Sequence, residues 1–178
     1  DYPRKTDCKI IDRGMGKMIL GVGLFFFLML VIIWQMLSHG EYTTVVDLLR
    51  NFDWDHVTDF SQATHVRNPH ELGIFFTFFV LLQFWNIFNA RYYRTDRSLI
   101  QDLGEMVCHP TSIAKHYSSG FISIIFVILI GQFLITNVFG EMFGVEALTF
   151  SDWMWLIAVT CPVLVIGDLY RFIRNKIA

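Results

Sequence analysis

Four long apolar runs dominate this sequence of 178 residues. A helix rises about 1.5 Å per residue, so a run of about 20 residues is as long as the roughly 30 Å hydrocarbon core of a bilayer. Only 17% of the residues are charged, against about 25% in soluble domains. We therefore predict an all-α, multi-pass membrane protein that forms a single domain over residues 1–178, with spans at about 18–36, 71–91, 120–139 and 152–173.

Positive charges are distributed unevenly between the segments that separate these runs. Twelve of the 14 Lys and Arg residues lie in the N-terminal tail, in the loop between the second and third runs, or in the C-terminal tail. The acidic loops 37–70 and 140–151 hold only Arg50 and Arg67. Since Lys and Arg concentrate on the cytoplasmic side, we expect both termini to be cytoplasmic and these two loops to be extracytoplasmic. The apolar positions of 42–52 indicate a short helix at the membrane interface.

The second run carries three amide side chains, Gln83, Asn86 and Asn89. Gln83 and Asn86 are three residues apart, so they share a helix face with Phe79 and Ala90. An unpaired amide is costly in hydrocarbon, and this face must therefore contact protein or water. Either the two amides support a cation pathway, since amide carbonyls are hard oxygen ligands, or they make interhelical hydrogen bonds worth about 0.6 kcal/mol each. Asn89 is expected to hydrogen-bond at the helix end, near the headgroups.

The fourth run holds a carboxylate, Asp168, which is a weaker candidate for an ion pathway. The alternative is an ordinary ion pair with Arg171, three residues further along the helix. Ser151 is expected to cap this helix, with Asp152 in its first turn. Pro162 is expected to kink it.

Several classes of function are not favoured by these residues. No basic stripe with interleaved aromatics is present, so nucleic acid is not an expected partner. Three distant cysteines and six irregularly spaced histidines indicate neither a disulfide framework nor a metal site. No glycine-rich phosphate loop or nucleophile motif occurs, and we expect no catalytic, cofactor-binding or metal-ligating residue within this chain. The chain opens at Asp1 without Met, which suggests a piece of a longer protein.

Several segments along the chain resemble segments of P-type calcium-transporting ATPases of the plasma-membrane type. Residues 79–91 match the Phe-Val-x-x-Gln-x-x-Asn-x-x-Asn-Ala-Arg pattern of that family's eighth membrane helix. Pro3-Arg4-Lys5 and Ile10-Ile11-Asp12-Arg13 are similar to the approach to the seventh helix. Residues 148–155, with Trp153-Met154-Trp155, resemble the entry to the tenth, and residues 132–135 resemble part of the ninth.

This resemblance implies that the chain is the C-terminal membrane domain, helices seven to ten, of an ATP-driven cation pump that transports Ca²⁺ and uses Mg²⁺ and ATP. The phosphorylated aspartate, the nucleotide site and the main ion ligands would lie outside this chain. Gln83 stands where reticulum-type members have a calcium-binding Glu, which implies that Gln83 and Asn86 support the ion-binding helices rather than ligate the ion.

The same resemblance implies particular surroundings for the chain. Its partners would be the lipid bilayer and the remaining membrane helices and cytoplasmic domains of the parent pump, in the plasma (inner) membrane. Two other interpretations remain open on the residues alone. One is a free-standing four-span scaffold, and the other is a channel or carrier subunit without ATPase activity.

Overall fold

The computed structural model describes residues 13–39, 43–58, 68–92, 98–108 and 117–177. Within these ranges every regular element is helical, and four helices are long and apolar enough to cross a membrane. These four segments are Gly14–Ser38, Pro69–Arg91, Ser119–Val138 and Phe150–Leu169. The prediction of an all-α chain with four membrane-length helices is therefore confirmed, and the chain is an integral membrane protein.

The helices follow one another along the chain as α1 to α9, with a π-helical turn after α6. Their bounds are α1 Arg13–Ser38, α2 Val45–Arg50, α3 Trp54–Thr58, α4 Pro69–Arg91, α5 Leu99–Cys108, α6 Ser119–Phe133, the π turn Leu134–Val138, α7 Gly140–Phe143, α8 Phe150–Thr160 and α9 Pro162–Ile177. We call the end of the bundle with Ser38, Pro69 and Phe150 the outer end, and the end with Arg91 and Ser119 the inner end.

Local sequence signals set where the membrane helices begin. Pro69 occupies the first turn of α4, and the Glu71 carboxylate accepts the Asn68 N–H at 3.3 Å. The Thr149 hydroxyl caps α8 by accepting the Asp152 N–H at 3.2 Å, while the Asp152 carboxylate accepts the Thr149 N–H. The expectation that Ser151 caps this helix is therefore wrong. Asp152 reaches back three residues to complete a reciprocal capping box, and this fixes Thr149 as the cap.

The fourth span is broken in the middle, as the proline predicts. Helix α8 ends at Thr160, Cys161 forms a turn, and α9 begins at Pro162. Proline has no N–H to donate to the carbonyl four residues earlier, and its ring displaces that carbonyl. The two helices therefore form one span that is interrupted at Cys161, at the point where the sequence predicts a kink.

Helix α4 lies at the centre of the bundle. It packs against α1, α6, α8 and α9. Of its most apolar window 44% is buried, against 6% for the first span and 11% for the third. Its outer half packs into an apolar core shared with α1, α2 and α8, and its inner half into a second core shared with α5, α6 and α9. The amides of α4 are thus placed on the helix that contacts every other span.

Candidate functional site

One face of α4 lines an open groove against α1. The α4 side is formed by Phe79, Gln83, Asn86 and Ala90, the four residues that the sequence places on one face. The groove has a volume of about 420 Å³. The α1 side is apolar, and it is formed by Met18, Ile19, Val22, Gly23, Phe26, Phe27 and Leu30.

The two amides in this groove have no hydrogen-bond partner within the part of the chain that the structure describes. Gln83 is exposed, and Asn86 is half-buried. The Asn86 carbonyl oxygen Oδ1 is itself shielded from solvent and accepts no hydrogen bond from any described residue. A buried carbonyl without a partner costs about 1–3 kcal/mol, so this face is suited to a donor from another segment or to water.

Asn89 points to a different neighbour and makes an interhelical bond. Its amide nitrogen donates to the Val163 carbonyl at 2.9 Å, and the side chain is buried. Asn89 lies near the inner end of α4, as expected, and the hydrogen bond described there is to α9. Six residues separate Asn89 from Gln83, a rotation of about 240° beyond one full turn, so Asn89 faces α9 and does not line the groove.

The Asn89 contact depends on a glycine in α9. A Cβ atom built on Gly167 would collide with the amide group of Asn89. The absence of a side chain at Gly167 therefore lets α4 and α9 approach closely at the inner end.

Asp168 is held by the start of α5. Its carboxylate accepts the Ser98 hydroxyl at 2.6 Å, the Leu99 N–H at 3.0 Å and the Ile100 N–H at 2.9 Å. The last span thus supplies the N-terminal cap of a helix in the inner loop. The side chain of Arg171 lies outside the described residues, so the proposed ion pair stays a prediction. The three donors nevertheless give Asp168 a structural role that needs no ion.

A buried polar cluster also contacts α5, the loop helix whose start is capped by Asp168. The Tyr92 hydroxyl donates to the Asp102 carboxylate at 2.8 Å and lies 3.3 Å from the Tyr117 hydroxyl. Burial raises the pKa of Tyr92, and the hydrogen bonds with Tyr117 and Asp102 raise it further. Burial also raises the pKa of Tyr117, and the Arg91 guanidinium lies 5.0 Å from its ring centroid.

Two polar contacts inside the membrane region are absent from the sequence-based predictions. The Gln132 amide of α6 donates to the Thr77 hydroxyl of α4 at 3.0 Å, with both side chains buried. The Trp85 indole N–H donates to the Thr160 hydroxyl of α8 at 2.8 Å. Gln132 is the amide nearest the middle of the third run, whose other amide is Asn137. The cost of an unpaired amide in hydrocarbon is a signal that could have predicted the contact of Gln132 with another helix.

The outer end contains a fully buried carboxylate that joins three elements. Asp152 accepts the Val45 N–H of α2 at 2.9 Å and the Thr149 hydroxyl at 2.6 Å. The His70 Nε2 atom of α4 lies 3.7 Å from the same carboxylate. The sequence assigns Asp152 to the first turn of its own helix, and the contacts with α2 and α4 follow only from the tertiary fold.

The structure brings some of the candidate residues together and keeps others apart. In the described ranges no group of three or more His, Cys, Asp or Glu side chains is placed to hold a metal ion. Gln83 and Asn86 lie together in the groove, while Asp168 lies on another surface and is engaged with α5. The structure therefore brings together two of the three candidate residues.

Comparison with known proteins gives one family and several relatives. The family described as "Cation transporting ATPase, C-terminus" matches residues 1–173. "Plasma membrane calcium-transporting ATPase 2" of Oreochromis mossambicus is 27% identical over 167 residues, which is 94% of this chain and 13% of that protein. "Plasma membrane calcium-transporting ATPase 1" of Oryctolagus cuniculus and of Homo sapiens are each 26% identical over 167 residues, 94% of this chain and 12% of theirs. The chain thus spans about an eighth of the length of these relatives. No solved structure matches it.

Proposed function

This chain belongs to the cation-transporting ATPase C-terminus family, and we propose that it serves as the C-terminal membrane domain of an ATP-driven calcium pump. In this role it packs against the ion-binding helices of the parent protein and holds them in position. It contributes the spans that correspond to helices seven to ten, with both termini in the cytoplasm.

The observation that carries this proposal is the open groove between α1 and α4. Its amides at Gln83 and Asn86 have no partner among the described residues, and an amide facing lipid alone is costly. A membrane helix that enters the groove would cover the apolar wall of α1 and hydrogen-bond with the exposed Gln83 amide. We assign this groove to helices of the parent pump, with Gln83 and Asn86 as supporting residues.

The transported ion, the cofactors of the parent pump and the type of membrane are proposed by similarity to the relatives. The relatives are called plasma membrane calcium-transporting ATPases, and the parent of this chain would accordingly transport Ca²⁺ with ATP and Mg²⁺ in the plasma membrane. Its cytoplasmic domains would supply the phosphorylation and nucleotide-binding sites. In this proposal, phosphorylation and nucleotide binding belong to those domains. The chain contributes to transport by holding the ion-binding helices in position.

The test is whether calcium movement depends on ATP. The full-length protein that contains this chain is reconstituted into sealed vesicles, and ⁴⁵Ca²⁺ uptake is measured with and without Mg-ATP. The proposal predicts uptake only with Mg-ATP, and no flux from vesicles that contain residues 1–178 alone. A free-standing scaffold or a channel subunit is not favoured by the family match. Flux through the isolated chain without ATP would support the channel instead and overturn the proposal.

A further inference from the structure

Three exposed apolar side chains form a patch on the loop helices at the outer end. Leu49 is 39% exposed, Phe52 42% and Trp54 63%. The rings of Phe52 and Trp54 pack edge to face, with centroids 5.1 Å apart. We call Leu49, Phe52 and Trp54 the loop patch.

The loop patch sits on a firmly attached support. Helix α2 buries Val45 and Leu48 in the outer core, and the Val45 N–H is bound by the buried Asp152. Helix α3 packs against α1, with Val57 against the apolar core that includes Met36 and Leu37. The position of the patch is therefore set by the spans and not by a free loop.

The packing of α3 against α1 also fixes the depth of the patch. Helix α1 crosses the membrane and ends at Ser38, and its Trp34 is 38% exposed near that end. Exposed tryptophans near the end of a span lie at the headgroup level. Since α3 contacts the same helix, Trp54 and Phe52 lie beside the membrane surface and not far out in water.

We propose that the loop patch inserts into the headgroup region of the leaflet at the outer end, and that zwitterionic lipid is its partner. This inference needs only that the chain spans a membrane, and it does not depend on the pump function. Leu24 and Leu28 of α1 are exposed apolar side chains within a membrane-length helix.

The net charge around the patch selects the kind of lipid. Exposed Arg50 follows Leu49, but Asp47 of the same helix offsets it, which leaves the patch with a net negative charge. Exposed Asp53 and Asp55 flank Trp54, and the Asp53 carboxylate accepts the Asp55 N–H at 3.0 Å at the start of α3. Carboxylates keep this helix start at the water boundary and repel anionic headgroups. A quaternary ammonium headgroup is attracted both to carboxylates and to the face of an indole ring. Phosphatidylcholine therefore fits the patch, whereas phosphatidylglycerol does not.

The test measures the depth of a spin label at Leu49, which leaves Phe52 and Trp54 in place. The variant Leu49→Cys is made with Cys8, Cys108 and Cys161 changed to Ser, and reconstituted in phosphatidylcholine vesicles. Power saturation compares collisions with oxygen, which concentrates in lipid, and with a nickel chelate, which stays in water. Labels at Leu28→Cys and Asp55→Cys give the lipid and water references in the same background.

We expect the oxygen-to-nickel ratio at Leu49 to exceed that at Asp55 and to stay below that at Leu28, since Leu28 lies near the middle of its span. The ratio should fall in phosphatidylglycerol vesicles and after Phe52→Ser with Trp54→Ser. A ratio equal to that at Asp55 would place the patch in water and overturn the proposal. Protection of Leu49 from both reagents would mean that protein covers the patch, which would also overturn it. An equal ratio in both lipids would refute the selection by charge.

Discussion

Asn86 and Asn89 lie three residues apart on α4 and have different surroundings. Asn89 is buried and donates to the Val163 carbonyl of α9, so it joins two spans. The side chain of Asn86 lines the groove toward α1, and no described residue donates to its shielded carbonyl oxygen. Asn89 therefore stabilises the fold of this chain, whereas the carbonyl oxygen of Asn86 contributes no hydrogen bond among the described residues.

The close contact between Asn89 and Gly167 predicts a strong effect of a small substitution. Gly167→Ala should destabilise the chain by about 1–3 kcal/mol, the usual cost of overpacking a buried site, because the new methyl group meets the Asn89 amide. The measurement is the unfolding midpoint on adding a denaturing detergent to mild micelles.

Gly131→Ala is the matched control for this substitution, since a Cβ atom at Gly131 meets no other atom within 4 Å. It should leave the unfolding midpoint unchanged or raise it slightly. Combining Gly167→Ala with Asn89→Ala should restore part of the loss. Equal midpoints for Gly167→Ala and Gly131→Ala would show that the helices do not approach as described.

Sequence reasoning identifies the amides of α4 but not all of their partners. The periodicity of a helix places Gln83 and Asn86 on one face, and the structure agrees. The bond from Asn89 to Val163 depends on how α9 leans after the break at Pro162. A break can be predicted from proline, but the direction of the following helix is set by packing.

The inner loop helix α5 is held at its first turn by contacts with two other segments. Asp168 caps its first turn, and Asp102 accepts a hydrogen bond from Tyr92 at the end of α4. A short helix is marginal by itself, and these contacts explain its position against α4, α6 and α9. An amphipathic pattern could have predicted a helix over 99–108, but the capping carboxylate lies 69 residues further along the chain.

Removing the Asp168 carboxylate should loosen α5 without unfolding the spans. Loss of a helix cap costs about 0.5–2 kcal/mol, so amide exchange at Leu99 and Ile100 should accelerate about 2- to 30-fold in Asp168→Ala. Asp168→Asn retains an acceptor and should change exchange and transport little. Hydrogen exchange with mass spectrometry measures the effect, with exposed Asp55→Asn as the control. Unchanged exchange in Asp168→Ala would refute the capping role.

The tyrosine pair beside α5 predicts a stability that falls at high pH. Burial raises the pKa of Tyr92 and Tyr117 in the folded chain, whereas an unfolded tyrosine titrates near about 10. Stability is thus fully present below about pH 10 and decreases above it, because the unfolded state ionises first. Melting curves from pH 8 to 11 measure this loss, and Tyr92→Phe should reduce it. Absorbance at 295 nm showing that Tyr92 titrates at its ordinary pH would contradict the account.

At the scale of the whole molecule, the chain is a membrane domain organised around α4. The number and type of spans follow from hydropathy and length, because a helix satisfies its own backbone hydrogen bonds in lipid. The buried Asp152 side chain and the Gln132–Thr77 hydrogen bond join segments that are distant in sequence. The periodicity of apolar residues does not indicate which distant segments meet. The groove, whose two amides have no hydrogen-bond partner among the described residues, is the surface that we propose contacts other helices of the parent pump.

The most direct test of this account is the calcium dependence of ATP-driven uptake by the full-length protein with Asn86→Ala. An interhelical hydrogen bond of about 0.6 kcal/mol corresponds to a change of about threefold. We predict that the apparent calcium affinity falls by about this factor while phosphorylation by ATP remains possible, with the same direction for Gln83→Ala. Gln101→Ala, which removes an exposed amide from α5, should leave uptake unchanged. Wild-type affinity and turnover in both groove variants would contradict the assignment of this groove to the ion-binding helices.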